Sequence, residues 1–172
     1  GFSMHTPKDQ YLHSREQLLH RMCVLLGGRV AEQLVYGEVS TGASDDLQKL
    51  TQIAYSQVAA LGMSEAVGTV HYPIPQRGEL VIERPYSQQT AARIDDEVRA
   101  LVAHAYEHTH QLLSDKRELM VALAKRLLEK EVLSRDDIVE VLGERPFKDE
   151  HSYKQQARIA DADANEPHAR SS

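Results

Sequence analysis

Hydrophobic residues recur along most of this chain at the three- and four-residue spacing of amphipathic helices. A segment with this pattern follows each of five candidate N-cap positions: Ser14, Ser44, Ser87, Ser114 or Asp115, and Ser134. Two of these helix starts have the spacing of a capping box, Ser14 with Gln17 and Ser134 with Asp137. The pattern therefore predicts a mainly α fold, built as a bundle of helices.

Two adjacent glycines, Gly27 and Gly28, interrupt the first of these helical segments. A glycine inside a helix costs about 1 kcal/mol relative to alanine. We therefore expect either that another backbone packs closely against this pair or that the helix kinks there.

The spacing changes between residues 69 and 83, where a helical pattern is no longer recognisable. Val70, Tyr72 and Ile74 alternate with other residues, and Pro73 and Gly78 punctuate the segment. Alternation bounded by proline and glycine predicts a small β-hairpin or flap.

Composition limits the classes of protein to consider. The 172 residues carry a formal net charge of -6 and no basic stripe, which argues against a nucleic-acid surface. Cys23 is the only cysteine, so a multi-cysteine zinc site is excluded, and we interpret it as a small buried hydrophobe on a helix. No apolar run is long enough to span a membrane.

We expect one domain over residues 1–147, a polar and disordered tail over residues 148–172, and a cut from a larger chain at Gly1, which is not a methionine.

Histidines offer one candidate metal site. His104, Glu107 and His108 fit the inverted zinc signature His-x-x-Glu-His, in which two histidines one helical turn apart grip the metal. On a helical wheel the histidines flank the apolar stripe and Glu107 lies nearly opposite to it. A free-standing inverted-signature zinc enzyme is therefore one hypothesis, and a histidine-rich exposed flank is the other.

Acidic residues offer a second candidate. Asp45 and Asp46 lie in the first turn of a predicted helix, where the helix dipole favours carboxylates even without a ligand. Glu32, taken by itself, has the pattern of a surface glutamate. The chain lacks a GxxxxGK[ST] phosphate loop and a GxSxG element, so neither ATP binding nor a serine-hydrolase site is predicted within it.

Two consecutive motifs connect these residues to a known family. Residues 27–37, GGRVAEQLVYG, and residues 40–47, STGASDDL, closely resemble segments of the FtsH-type ATP-dependent zinc metallopeptidases, in the family's order and spacing. Residues 62–65, 94–98 and 127–133 also resemble family segments. The resemblance extends over roughly residues 1–147 and is nearest to the mitochondrial m-AAA branch.

This resemblance implies a metal site and an assembly. In the family a His-Glu-x-x-His helix provides two zinc ligands and the general base, and a later aspartate, matching Asp46, provides the third ligand. Glu32 matches an acidic residue that supports the site from outside the ligand set. The implied cofactor is Zn²⁺, while ATP binds a separate ATPase module. The implied enzyme is a hexamer of m-AAA-type subunits that degrades unfolded or membrane proteins at the matrix face of the mitochondrial inner membrane.

The sequence departs from the family pattern because it contains neither the His-Glu-x-x-His helix nor the ATPase module, both of which the family places before the residue matching Gly1. No catalytic residue is therefore assigned in this chain, and we expect the chain alone to be inactive. A non-catalytic interaction module, which associates with full-length m-AAA subunits through its helices, is the alternative function.

Overall fold

A computed structural model describes residues 12–74 and 85–144, and these residues form five α-helices. They are α1 (Arg15–Tyr36), α2 (Ser44–Tyr55), α3 (Gln88–Asp115), α4 (Arg117–Lys130) and α5 (Arg135–Leu142). A 3₁₀ turn (Thr41–Ala43) leads into α2, and a π-helical turn (Ser56–Ala60) continues it. The predicted mainly α, bundle-like fold is confirmed.

Three of the predicted helix starts are confirmed in their capping contacts. Ser14 and Gln17 form a reciprocal capping box at α1, and Ser134 and Asp137 form another at α5. The Ser87 hydroxyl accepts a hydrogen bond from the backbone N–H of Thr90 at the start of α3. Such contacts satisfy N–H groups that have no partner inside the helix, which is why the local sequence alone can specify them.

Two other predicted starts are wrong. Ser44 is the first residue of α2 rather than its cap, because the 3₁₀ turn already carries the chain into the helix and Ala43 stands at the N-cap position. Ser114 and Asp115 belong to the last turn of α3, which ends at Lys116.

Helix α1 runs through Gly27 and Gly28 without a break. A Cβ atom added to either glycine would meet nothing within 4 Å. The close packing of another backbone that we expected at this pair is therefore not found among the residues the structure describes.

Helices α1, α2 and α3 pack against one another around a single apolar core. Its buried members are Met22, Leu26, Val30, Leu50, Ala54, Val58, Ala59, Ile94, Val98 and Ala105. Cys23 lies on α1 and packs against this core, as predicted, but it is half-buried rather than buried, and its thiol donates to the Ala105 carbonyl oxygen at 3.7 Å. The core holds α1 and α2 together, and these two helices carry Glu32 and Asp46.

The chain leaves the π-helical turn at Gly62, whose φ of +60° and close approach to the Thr69 backbone favour glycine. The backbone N–H of Tyr72 then donates to the Ala59 carbonyl at 2.7 Å. Residues 69–74 contain no strand. The predicted β-hairpin is thus not shown, and residues 75–83 of it lie outside the described residues.

The described residues after Arg117 form a separate compact unit that contains most of α4 and all of α5. Within it the Asp137 carboxylate accepts hydrogen bonds from the Lys130 ammonium group and from Ser134. The Lys130 contact is the main reason that the pKa of Asp137 lies far below its ordinary value. No described helix has the length and apolar character needed to cross a lipid bilayer. The predicted tail over residues 148–172 lies outside the described residues.

Candidate metal centre

The first turn of α2 presents a carboxylate that is available to bind a metal ion. Asp46 lies in this turn with 48% of its side chain exposed. Its nearest ionic partner is the Lys49 ammonium group, 3.9 Å away and 64% exposed. An exposed ion pair at this distance contributes little free energy, so it does not prevent Asp46 from binding another cation. The neighbouring carboxylate, Asp45, is exposed in the same turn.

Glu32 on α1 holds the segment that leads into α2. Its carboxylate accepts a hydrogen bond from the backbone N–H of Ser40 at 3.0 Å. The Ser40 hydroxyl donates to the same carboxylate, with the two oxygens 3.0 and 3.1 Å away. The pKa of Glu32 is lowered from its ordinary value, first by the Ser40 N–H, then by the Ser40 hydroxyl and more weakly by the charge of Arg29. Glu32 is therefore an ionised acceptor tied to Ser40.

Ser40 was predicted only as part of the STGASDDL motif, with no role of its own. The available signal was local: a serine two residues before a glycine N–H can cap a turn through its hydroxyl. The Ser40 oxygen accepts such a bond from the Gly42 N–H at 3.2 Å. Its partnership with Glu32 had no local signal, because the two residues are eight positions apart on different elements.

Among the described residues, the histidines and the glutamate of the inverted signature on α3 are not joined by further ligands. His104, Glu107 and His108 are all exposed on this helix. Within residues 12–74 and 85–144, no group of three histidine, cysteine, aspartate or glutamate side chains is placed to hold a metal ion. The histidine-rich exposed flank is thus the interpretation that the geometry favours.

The described residues can supply one zinc ligand, but they do not form a complete zinc site. A catalytic zinc ion takes three protein ligands and keeps one position for water. Asp46 offers a carboxylate of the right chemistry on a rigid helix, while two further ligands have to come from residues outside the described group.

Comparison with known proteins decides the family. The model of peptidase family M41 matches residues 1–141. The chain belongs to peptidase family M41. This membership confirms the FtsH-type resemblance that the two glycine-containing motifs indicated.

Curated relatives of this M41 chain are similar over most of its length. It is 50% identical over 155 residues to the mitochondrial inner membrane m-AAA protease component AFG3L1 of Mus musculus, covering 90% of this chain and 20% of the relative. It is 49% identical over 148 residues to the ATP-dependent zinc metalloprotease FTSH 3, mitochondrial, of Oryza sativa subsp. japonica, covering 86% and 18%. It is 47% identical over 151 residues to the ATP-dependent zinc metalloprotease FtsH of Rhodothermus marinus, covering 87% and 22%. The chain thus spans about a fifth of the length of the curated relatives it matches.

Proposed function

We propose that this M41 chain is part of an ATP-dependent zinc metalloendopeptidase and supplies the third zinc ligand, Asp46, to its active site. The observation that carries the proposal is the half-exposed Asp46 carboxylate in the first turn of α2, whose ion-pair partner among the described residues is the exposed Lys49 at 3.9 Å. Family membership over residues 1–141 supports the peptidase assignment. Substrates of the whole enzyme are unfolded or membrane proteins.

The residues of this chain have a limited part in the reaction. When zinc is bound, it activates a water molecule for attack on a peptide carbonyl by lowering the pKa of that water. Asp46 would contribute one negatively charged oxygen ligand from α2. Glu32 would support it indirectly, because its carboxylate is occupied by Ser40 rather than free to take a proton. The general base and two histidine ligands are absent from the sequence, so the chain alone is expected to be inactive.

We further infer that the chain works within a hexameric ring of m-AAA-type subunits at the matrix face of the mitochondrial inner membrane. Curated relatives named as components of the mitochondrial inner membrane m-AAA protease support an assembly of several components and an inner-membrane location, while the six-subunit ring and the matrix face are part of the proposal. In this proposal the ring that delivers unfolded substrate is formed by ATPase modules, which are distinct from the region described here.

A chimera tests the proposed function directly. The matched segment of mouse AFG3L1 is replaced by this chain, and zinc per subunit and degradation of an unfolded test protein are measured. We expect the chimera to retain zinc and to degrade the test protein in an ATP-dependent, chelator-sensitive manner, while the chain alone does neither. An assembled chimera without zinc would contradict the proposal, and unmodified AFG3L1 is the control.

The same chimera separates the proposed site from the histidine pair on α3. We expect the double substitution His104→Ala and His108→Ala to leave its zinc content and proteolysis unchanged, because both side chains are exposed and belong to no three-residue ligand group among the described residues. Metal analysis by mass spectrometry checks this. Loss of zinc on removing the pair would instead revive the inverted-signature hypothesis.

A further inference from the structure

Ser40 connects α1 to the start of α2 through four hydrogen-bonding contacts. Its N–H donates to Glu32 Oε2 at 3.0 Å, and its hydroxyl lies 3.0 and 3.1 Å from the two carboxylate oxygens. The hydroxyl oxygen also accepts from the Gly42 N–H at 3.2 Å. The Ser40 N–H and the single Ser40 hydroxyl proton, which is shared between the two carboxylate oxygens, donate to an ionised acceptor, so these two hydrogen bonds are stronger than hydrogen bonds between neutral groups.

Helix α2 has no side-chain cap of its own. Ala43 occupies the N-cap position and makes no capping hydrogen bond. The helix instead continues the 3₁₀ turn, since the Ser44 N–H donates to the Thr41 carbonyl, and the cap of that turn is Ser40. Ala43, the last residue of the turn, is buried. The side-chain cap that precedes Asp46 is therefore that of Ser40, and the 3₁₀ turn runs directly from it into α2.

Glu32 and Ser40 bond to each other, Ser40 also bonds to Gly42, and neither Glu32 nor Ser40 forms a hydrogen bond or an ion pair with the Asp46 carboxylate. Their effect on it has to pass through the backbone of the 3₁₀ turn. A carboxylate ligand in the first turn of a helix keeps its position only if the start of that helix is fixed. Hydrogen bonds that hold a ligand in place without touching the metal change the affinity for the metal.

We propose that Ser40 is a positioning residue for Asp46: the clamp between Ser40 and Glu32 fixes the start of α2 and thereby the place of the Asp46 carboxylate. The expected effect of Ser40 on zinc affinity rests on the proposed function. The hydrogen bonds between Ser40 and Glu32, which we call the clamp, do not depend on it. Glu32 accordingly supports the site through Ser40.

Hydrogen–deuterium exchange on the 172-residue chain tests the clamp. We expect Ser40→Ala to accelerate amide exchange in residues 41–47 about tenfold or more, because hydrogen bonds to a charged acceptor are lost. Ser40→Thr keeps the hydroxyl and should restore protection. Glu32→Gln removes the charge and should give an intermediate effect. Ser87→Ala, which removes the cap of α3, is the matched control and should leave residues 41–47 unchanged.

Two further readouts identify the clamp. In Ser40→Ala the pKa of Glu32, followed by carbon NMR of its carboxylate, should rise only part of the way to its ordinary value, because the hydroxyl is lost while the backbone N–H of residue 40 still donates to Glu32. Ser40→Thr should keep the pKa low. Zinc affinity of the AFG3L1 chimera, measured by chelator competition, should weaken about tenfold in Ser40→Ala and recover in Ser40→Thr.

Unchanged exchange in residues 41–47 of Ser40→Ala, or unchanged zinc affinity in the corresponding chimera, would overturn the positioning role. Failure of the proposed function is distinguishable from both outcomes. If the proposed function is wrong, the chimera will retain zinc after Asp46→Ala. The exchange experiment on the isolated chain does not depend on zinc.

Discussion

Replacing Asp46 by alanine in the AFG3L1 chimera is expected to remove bound zinc and to lower proteolysis at least about a hundredfold. Changes outside a ligand set already cost about 10–100-fold in affinity or activity, and loss of a ligand should cost more. Metal analysis of the assembled chimera and initial rates of degradation of the unfolded protein provide the measurement.

Asp45→Ala is the matched control for that substitution. Both aspartates lie in the first turn of α2, so each contributes a similar interaction with the helix dipole, about 0.3–1 kcal/mol. Asp45 is exposed, whereas Asp46 is half-exposed. We expect the Asp45 variant to keep its zinc and most of its activity. Equal losses of zinc and activity in the two variants would show that these aspartates act only by stabilising the helix, and not as metal ligands.

Ile94→Ala is expected to lower the free energy of unfolding of the α1–α3 unit by about 2–5 kcal/mol. Ile94 on α3 is 1% exposed and belongs to the core shared by α1, α2 and α3. Its truncation removes buried methyl groups and leaves a cavity that the surrounding helices can fill only partly. Urea unfolding followed by circular dichroism gives the free-energy difference.

Leu112→Ala on the same helix is the control for Ile94. Leu112 is 50% exposed, so its truncation should change the free energy of unfolding by no more than about 1 kcal/mol. A similar loss in both variants would contradict the placement of the core on the Ile94 face of α3.

Local chemistry explains which elements could be predicted from the sequence. The capping boxes at Ser14 and Ser134 join residues three positions apart, so their partners are visible in the sequence itself. Ser44 was predicted as the N-cap of α2 but is its first residue, because a 3₁₀ turn capped by Ser40 leads directly into the helix and the hydrophobic spacing does not distinguish that turn from a loop. For Gly27 and Gly28 the sequence predicted either a closely packed backbone or a kink, and the described fold places no neighbouring backbone within 4 Å of a Cβ at either position.

The candidate site divides in the same way. The sequence by itself determined the family, the helical class and the position of Asp46 in a first turn, because these depend on motifs and spacing within short segments. Only the tertiary structure decided that Glu32 on α1 holds Ser40, eight residues away, and that His104, Glu107 and His108 remain exposed without forming a ligand group among the described residues. Contacts between separate elements depend on how the helices pack around their common core, and the pattern within one segment carries no information about that packing.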